Sequence, residues 1–212
     1  MAYFDAQIKD LVGTDFTDDT ALTQWLTDGV KEITNILPRE LKIECATITS
    51  LTSSTPMDLD ATGKVFHVTR ENADNGYHIG CREVNPIHAG SAGDSTSLYY
   101  VTATDPIYWI ESDTGGDPKL FVKPDPTANQ PARVHHVSYT AAAHGDSLIV
   151  NFPDEAEYLV VLYASIKATE FLMTSEEDPE LFLPIISTLK QDYDKGVQML
   201  VAQGIPQQER RE

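Results

Sequence analysis

Residues 152–204 read FPDEAEYLVVLYASIKATEFLMTSEEDPELFLPIISTLKQDYDKGVQMLVAQG, and this stretch predicts two consecutive helices. The first is predicted over residues 153–173, because Pro153 suits a helix entrance and three acidic residues follow it beside unpaired backbone N–H groups. Between Tyr158 and Ile166, apolar residues fall on every face of this helix. A helix that is apolar all round must be covered all round. We therefore expect the rest of the chain to be arranged around it.

The second helix is predicted to begin at Asp178 or Pro184 and to end near Gln203. Its apolar and small residues recur every three or four positions, which predicts one buried stripe and a solvent-facing back. The stripe consists of Phe182, Ile185, Leu189, Tyr193, Gly196 and Leu200.

Two further helices are predicted near the N-terminus. Residues 2–12 are loosely periodic and are followed by Gly13. Residues 18–37 form the clearest amphipathic helix, with Thr17 or Asp18 available as N-cap and Pro38 as the stop signal. The apolar stripe of this helix contains Leu22, Trp25, Leu26, Gly29, Ile33, Ile36 and Leu37.

The middle of the chain has the composition of β-structure, with Thr, Ser, Val, Ile and Tyr punctuated by Gly, Pro, Asn and Asp. A hairpin loop is predicted at residues 112–118, because its aspartates and two glycines suit a turn with positive φ. Strands are predicted at residues 41–51, 64–70, 77–84, 97–103, 107–112, 119–123 and 134–140.

This order of elements predicts an α+β fold. Helices from both ends of the chain carry apolar stripes and must bury them against each other. We expect an antiparallel helical bundle formed by the N- and C-terminal helices, with a β-rich insertion lobe between them. The expected domains are residues 1–38 with 151–204 for the bundle, residues 39–150 for the insertion, and residues 205–212 as an extended tail.

The charge balance of the 212-residue chain is strongly acidic. Fifteen Lys and Arg stand against 33 Asp and Glu, a formal charge of −18, which argues against a chain that grips DNA through its phosphates. Such a surface either solubilises the chain or repels a polyanion that passes nearby. Without a long apolar run or a signal peptide pattern, we expect no membrane contact and a soluble product made in the cytoplasm.

Two groups of residues have spacings typical of metal sites. Asp58, Asp60 and Thr62 match the first half of a calcium loop, but Thr69 stands where the bidentate Glu is needed, so the alternative is an Asx-rich turn. His78 and Cys81 have a zinc-like spacing that His67 and Cys45 complete only if the fold brings them together. The two cysteines are expected to be reduced, with a disulfide between them as the alternative.

The sequence gives little support for an enzyme. It has no phosphate-cradling glycine loop, no nucleophile elbow and no HExxH motif, so we expect no catalytic activity and no cofactor. His135 and His136 are adjacent in a predicted strand and point to opposite faces, which prevents them from acting on one ligand.

Three stretches together resemble the head-to-tail connector, or adaptor, proteins of tailed bacteriophages. The first is residues 22–38, with the core WLTDGVKEI at 25–33. The second is residues 107–139, where IYWI, then LFVKPDP, then a last strand follow in order. The third is FPDEAEYL at 152–159, the acidic helix entrance. Residues 57–97 lie outside the resemblance.

The resemblance implies a virion structural protein at the head-tail junction. Such proteins form a ring, with twelve copies expected, below the portal protein and extend the DNA channel toward a downstream tail or neck protein. The resemblance also implies that the C-terminal tail docks on the portal, with these portal-binding residues: Ile205, Gln207, Gln208, Arg210 and Arg211. The alternatives are an acidic β-rich module of a phage appendage that binds a glycan or calcium, and an unrecognised hydrolase.

Overall fold

The computed structural model describes residues 3–14, 16–60, 62–72, 76–175 and 179–203. Within them the chain is mixed α+β, as predicted. The helices are α1 (Phe4–Val12), α2 (Asp19–Ile36), α3 (Arg39–Lys42), α4 (Pro86–Ala89), α5 (Asp154–Ser175) and α6 (Leu183–Gln203), with a 3₁₀ turn at Pro179–Phe182. The strands are β1 (Ala46–Leu51), β2 (Met57–Asp58), β3 (Thr62–Glu71), β4 (His78–Gly80), β5 (Arg82–Glu83), β6 (Ile107–Ser112), β7 (Pro118–Lys123) and β8 (Ala132–Ser138).

The chain divides into two compact units. A helical unit combines Met1–Cys45 with Tyr139–Glu212, and a β unit comprises Ala46–Ser138. The two parts of the helical unit are far apart in sequence, so this unit folds only when long-range contacts form between the ends of the chain.

Helix α5 is the centre of the helical unit. Helices α1, α2 and α6 all pack against it, which confirms the prediction that the helix at 18–37 packs on the helix at 153–173. The run from Leu159 to Leu162 is buried, and the buried hydroxyls of Ser165 and Thr169 donate to carbonyls one turn earlier in the same helix. The neighbouring helices α1, α2 and α6 therefore cover most of the apolar surface of α5.

Two glycines allow α2 and α6 to approach α5 closely. A Cβ added at Gly29 would lie 3.0 Å from a ring carbon of Tyr163, and one added at Gly196 would overlap the side chain of Leu159. Only a residue without a side chain fits at either position without displacing its neighbour.

The ends of α2 follow the predicted signals. Asp18 is the N-cap, and its carboxylate accepts a hydrogen bond of 3.0 Å from the backbone N–H of Ala21. Trp25, predicted in the core stripe, is only half-buried. Its ring instead joins those of Phe16 and Phe171, with centroids at 5.2 Å and 6.1 Å.

The β unit contains two four-stranded sheets. The first sheet has the order β1-β8-β3-β4 and the second β2-β7-β6-β5, with β5 and β6 parallel and the other pairs antiparallel. Both sheets contribute to one core, which contains Met57, Leu59, Val68, Tyr108, Leu120, Val122, Ala132 and Val134. The unit is thus a two-sheet sandwich.

A further apolar cluster covers the other side of the second sheet. Ile107 and Trp109 pack with Val84 and Ala92 from the segment that contains α4, and the Trp109 ring stacks on Phe121 at 5.2 Å. One face of the second sheet therefore meets the first sheet, and the opposite face is covered by irregular chain.

The hairpin predicted at 112–118 is confirmed. Strands β6 and β7 pair antiparallel from Ile107 opposite Lys123 to Ser112 opposite Pro118. The Asp113 carboxylate accepts hydrogen bonds from the backbone N–H groups of Gly115 and Asp117, at 2.7 Å and 3.2 Å. Gly116 has φ 93°, a conformation that favours glycine.

Three strand predictions need correction. Residues 39–42 form α3 in place of the start of a strand at 41–51, because Arg, Glu, Leu and Lys are strong helix formers. The strand predicted at 77–84 is split at Cys81, where the chain passes from the first sheet to the second. No strand forms at 97–103, where Asp94, Ser97 and Thr102 side chains bond nearby backbone N–H groups and favour turns.

A buried tyrosine makes the stability of the β unit sensitive to alkaline pH. Burial, followed by the hydrogen bond to Glu83, raises the pKa of Tyr108 to about 12. An unfolded tyrosine has a pKa of about 10, so above that pH the unfolded state binds fewer protons and stability falls as pH rises. In denaturant titrations from pH 9 to 11.5, Tyr108→Phe should flatten this decline, and Tyr100→Phe, at an exposed position, should not. Equal slopes for wild type and Tyr108→Phe would contradict the assignment.

Candidate interaction faces

The outer face of the first sheet carries a group of basic and imidazole side chains. Alternation along β3 and β8 places His67, Arg133 and His135 on the side away from the sandwich core. We call this surface the histidine face and define it by Ile48, His67, His78, Arg133 and His135.

Two histidines of this face form a cross-strand pair. His67 and His135 lie opposite each other in the register of β3 and β8, and their rings stack with centroids at 3.9 Å. The pKa of His135 is lowered, first by burial and then by the positive neighbours His67 and Arg133. A proton on His135 is therefore disfavoured in the isolated chain.

The rest of the histidine face has one contact between an imidazole and a carboxylate and, among the described residues, one arginine without a partner. His78 Nε2 lies 3.7 Å from the carboxylate of Glu71, its cross-strand partner. Arg133 is exposed, and its guanidinium forms no hydrogen bond or ion pair with any of the described residues. Ile48, from the neighbouring strand β1, is 55 % exposed.

His136 confirms that the adjacent histidines point to opposite faces. It is buried on the core side of the sheet, where its Nε2 lies 2.9 Å from Thr49 Oγ1 and its Nδ1 lies 3.0 Å from the carbonyl of Val137. Its polar atoms are satisfied within the sandwich, so it serves packing and not ligand binding.

A second charged surface lies at the hairpin end of the second sheet. Four carboxylates meet there, and we call this group the acidic loop cluster: Asp58, Asp60, Asp113 and Asp117. Lys119 is shared by Asp58 at 2.8 Å and Asp113 at 3.6 Å. Asp60 and Asp117 have no ion-pair partner among the described residues. The pKa of Asp60 is raised, first by desolvation and then by the negative charges of Asp117 and Asp58.

The predicted calcium residues have other partners. Asp58 is held by Lys119 and accepts the backbone N–H of Asp60, and the hydroxyl of Thr62 donates to the carbonyl of Leu59 at 2.9 Å. These bonds are those of an Asx-type turn between strands. Across the part of the chain that the structure describes, no group of three or more His, Cys, Asp or Glu is arranged to hold a metal ion.

The residues considered for zinc are divided between the two units. Cys45 belongs to the helical unit, and His67, His78 and Cys81 belong to the β unit. Both cysteines are free thiols, and burial raises the pKa of Cys45 to about 11 and of Cys81 to about 12. Because the thiolate is the metal ligand and the nucleophile, these protonated thiols are unreactive at neutral pH.

A glycan site was one of the alternatives, and a cavity of the β unit is lined by both polar and aromatic side chains. It has a volume of about 370 Å³ and is lined by Ser53, Ser54, Thr55, Trp109 and Lys123, among others. Trp109 is only 7 % exposed and its ring is stacked on Phe121, so the ring offers no open face to a sugar.

The predicted portal-binding residues lie beyond the last described residue, Gln203. They are Ile205, Gln207, Gln208, Arg210 and Arg211. None of the helices within the described ranges is long and apolar enough to cross a bilayer.

Comparison with known protein families matches residues 3–211 to the family described as SU10 adaptor protein. The match covers nearly the whole chain, including the residues 57–97 that the sequence resemblance left out. The chain belongs to the SU10 adaptor protein family. This confirms the resemblance to bacteriophage head-to-tail adaptors, and membership of a structural family indicates a role other than catalysis. A search of curated proteins with this adaptor sequence found no match.

The sequence did not predict the histidine face. His67 was considered only as a possible zinc ligand, and His135 only as a residue that could not share a ligand with His136. The available signal was period-two alternation, with His67, Thr69 and Glu71 on one strand and Arg133 and His135 on another. Which of these residues are neighbours depends on the register between β3 and β8, which shifts twice.

Proposed function

We propose that this adaptor forms a ring of identical subunits below the portal of a tailed bacteriophage and extends the DNA channel toward the tail. The observation that supports this most strongly is the family match over residues 3–211. Twelve copies, a portal contact above and a downstream neck or tail protein below are the partners we propose.

In this proposal the helical unit is an antiparallel bundle and the β unit is an insertion into it. The packing of α1, α2 and α6 on α5 supports a bundle that holds together within one subunit. The proposed domains are residues 1–38 with 151–204 for the bundle, residues 39–150 for the insertion that contains the β unit, and the tail 205–212.

The acidic charge suits a channel wall that DNA must pass without being held. At a formal charge of −18, carboxylates facing the channel would repel the phosphate backbone, and few cations are available to neutralise it. We propose that DNA passes nearby and is not bound specifically.

Subunit contacts in this ring must come from surfaces other than the buried faces of α5. Candidates include large apolar residues that the single chain leaves exposed near the entrance of α5. These are Tyr3, Leu148, Val150 and Tyr158. Burying such residues between subunits would stabilise a ring, since each gains by removal from water.

The tail proposal leads to a deletion experiment. Removing residues 205–212 should leave the thermal midpoint nearly unchanged and weaken attachment to the portal ring, because Arg210 and Arg211 offer guanidinium forks for portal carboxylates. The measurement is co-sedimentation with portal rings, for deleted and full chains at the same salt concentration.

The control for this experiment is the double variant Arg210→Gln/Arg211→Gln in the full-length chain, which keeps the tail and removes both charges. Weakening by both variants supports an electrostatic contact. If the deletion variant binds the portal as strongly as the full chain does, the tail has no docking role.

A further inference from the structure

The β unit carries two surfaces with opposite charge requirements. Among the described residues, Arg133 of the histidine face has no ion-pair partner and lies beside two stacked imidazoles, and Asp60 and Asp117 of the acidic loop cluster form no ion pair. We propose that, in the ring proposed above, the histidine face of one subunit receives the acidic loop cluster of the next subunit.

The histidine face has the chemistry of an anion acceptor. Arg133 is exposed and free to make a bidentate contact with a carboxylate, the contact for which a guanidinium fork is best suited. His67 and His135 lie beside it, and three of the six histidines of the chain belong to this face. Exposed Ile48 adds an apolar edge that would be covered when a partner docks.

The chain itself supplies the complementary surface. Desolvation and then the negative charges of Asp117 and Asp58 raise the pKa of Asp60, while Lys119 forms its ion pairs with Asp58 and Asp113. A cation from outside the subunit would relieve this repulsion. Local complementarity of charge makes a second copy of the chain the occupant that we propose, and binding of a DNA duplex is an outcome of the experiment below.

A contact between two different surfaces has a consequence for assembly. When each subunit uses its histidine face toward one neighbour and its acidic loop cluster toward the other, the contact is heterologous. Such contacts generate a ring when the rotation between subunits closes, so this pairing suits the ring that the adaptor is proposed to form.

Docking should be linked to proton uptake. The titratable groups around the stacked pair are Arg133 and the buried His136 from β8, His78 from β4 and Glu71 from β3, and the neighbouring Ile48 and Ser50 of β1 are uncharged. Without a partner, burial and then the positive neighbours lower the pKa of His135. Incoming carboxylates favour the protonated form of His135, so association should tighten as pH falls from 8 to 6.

A charge-swap experiment tests the pairing on the full chain. Arg133→Glu and the double variant Asp60→Lys/Asp117→Lys should each weaken self-association at least about tenfold, because each places like charges opposite each other. An equimolar mixture of the two variants should associate again, since every contact between unlike subunits then pairs opposite charges. Sedimentation equilibrium at protein concentrations up to about 1 mM detects self-association with a dissociation constant as weak as about 1 mM.

Arg39→Glu is the matched control, because it reverses an exposed arginine of the helical unit and should leave association unchanged. Far-UV circular dichroism of each variant verifies folding. The proposal is overturned if wild type does not associate at this concentration, if neither reversal weakens association, or if the mixture fails to restore it. It is also overturned if wild type binds a DNA duplex and Arg133→Glu does not. Finding the chain outside the virion neck would instead refute the proposed function, whatever the outcome of the swap.

Discussion

Leu159→Ala and Leu26→Ala should each lower the free energy of unfolding of the helical unit by about 2 to 5 kcal/mol. Leu26 on α2 is 0 % exposed and Leu159 on α5 is 4 % exposed. Each truncation removes buried methyl groups and leaves a cavity that the surrounding helices cannot fully close. Urea denaturation followed by circular dichroism at 222 nm measures the effect on the helices.

Leu181→Ala is the control for these truncations, because Leu181 belongs to the same unit and is 67 % exposed. The same chemical change at that surface should cost less than about 0.5 kcal/mol. Losses below about 1 kcal/mol at both Leu26 and Leu159 would contradict the assignment of α5 as the centre of the core.

Gly196→Leu should lower the free energy of unfolding by about 1 to 3 kcal/mol, since α6 approaches α5 too closely for a side chain. The Cβ alone would overlap Leu159, which is buried and has little room to move. The intrinsic helix preference of leucine over glycine acts in the opposite direction by about 1 kcal/mol, so a measured loss means that the clash is the larger effect.

Gly90→Leu is the matched control for the glycine substitution. Gly90 follows α4 with φ −62° and ψ −28°, and a Cβ there meets no atom within 4 Å. Its replacement should change stability by less than about 0.5 kcal/mol. A Gly196→Leu variant as stable as wild type would show that α5 and α6 separate without cost.

The helices were the part of the fold most accessible from sequence. Their signals are local: Asp18 caps α2, acidic residues begin α5, and apolar residues recur at helical spacing. The close approach of Gly196 to Leu159 was not accessible, because periodicity places both residues on buried faces without saying which residues touch.

The β unit was predicted less completely, because local side-chain hydrogen bonds compete with strand pairing and because the register between strands cannot be derived from the sequence. Strand-like residues at 97–103 bond their own backbone through side-chain oxygens and never join a sheet. Passage from the first sheet to the second at Cys81 depends on partners distant in sequence, Val68 and Pro106. The histidine face depends on register in the same way, since one residue of slip would move His67 or His135 to the other side of the sheet.

A single-particle reconstruction of the virion neck would locate this chain in the particle and test the proposed ring. We expect this chain to fill density as a closed ring directly below the portal, with its acidic side chains lining the channel and its tail from residue 205 against the portal. Density for this chain in a trimeric fibre tip or in a decoration of the capsid surface would contradict it.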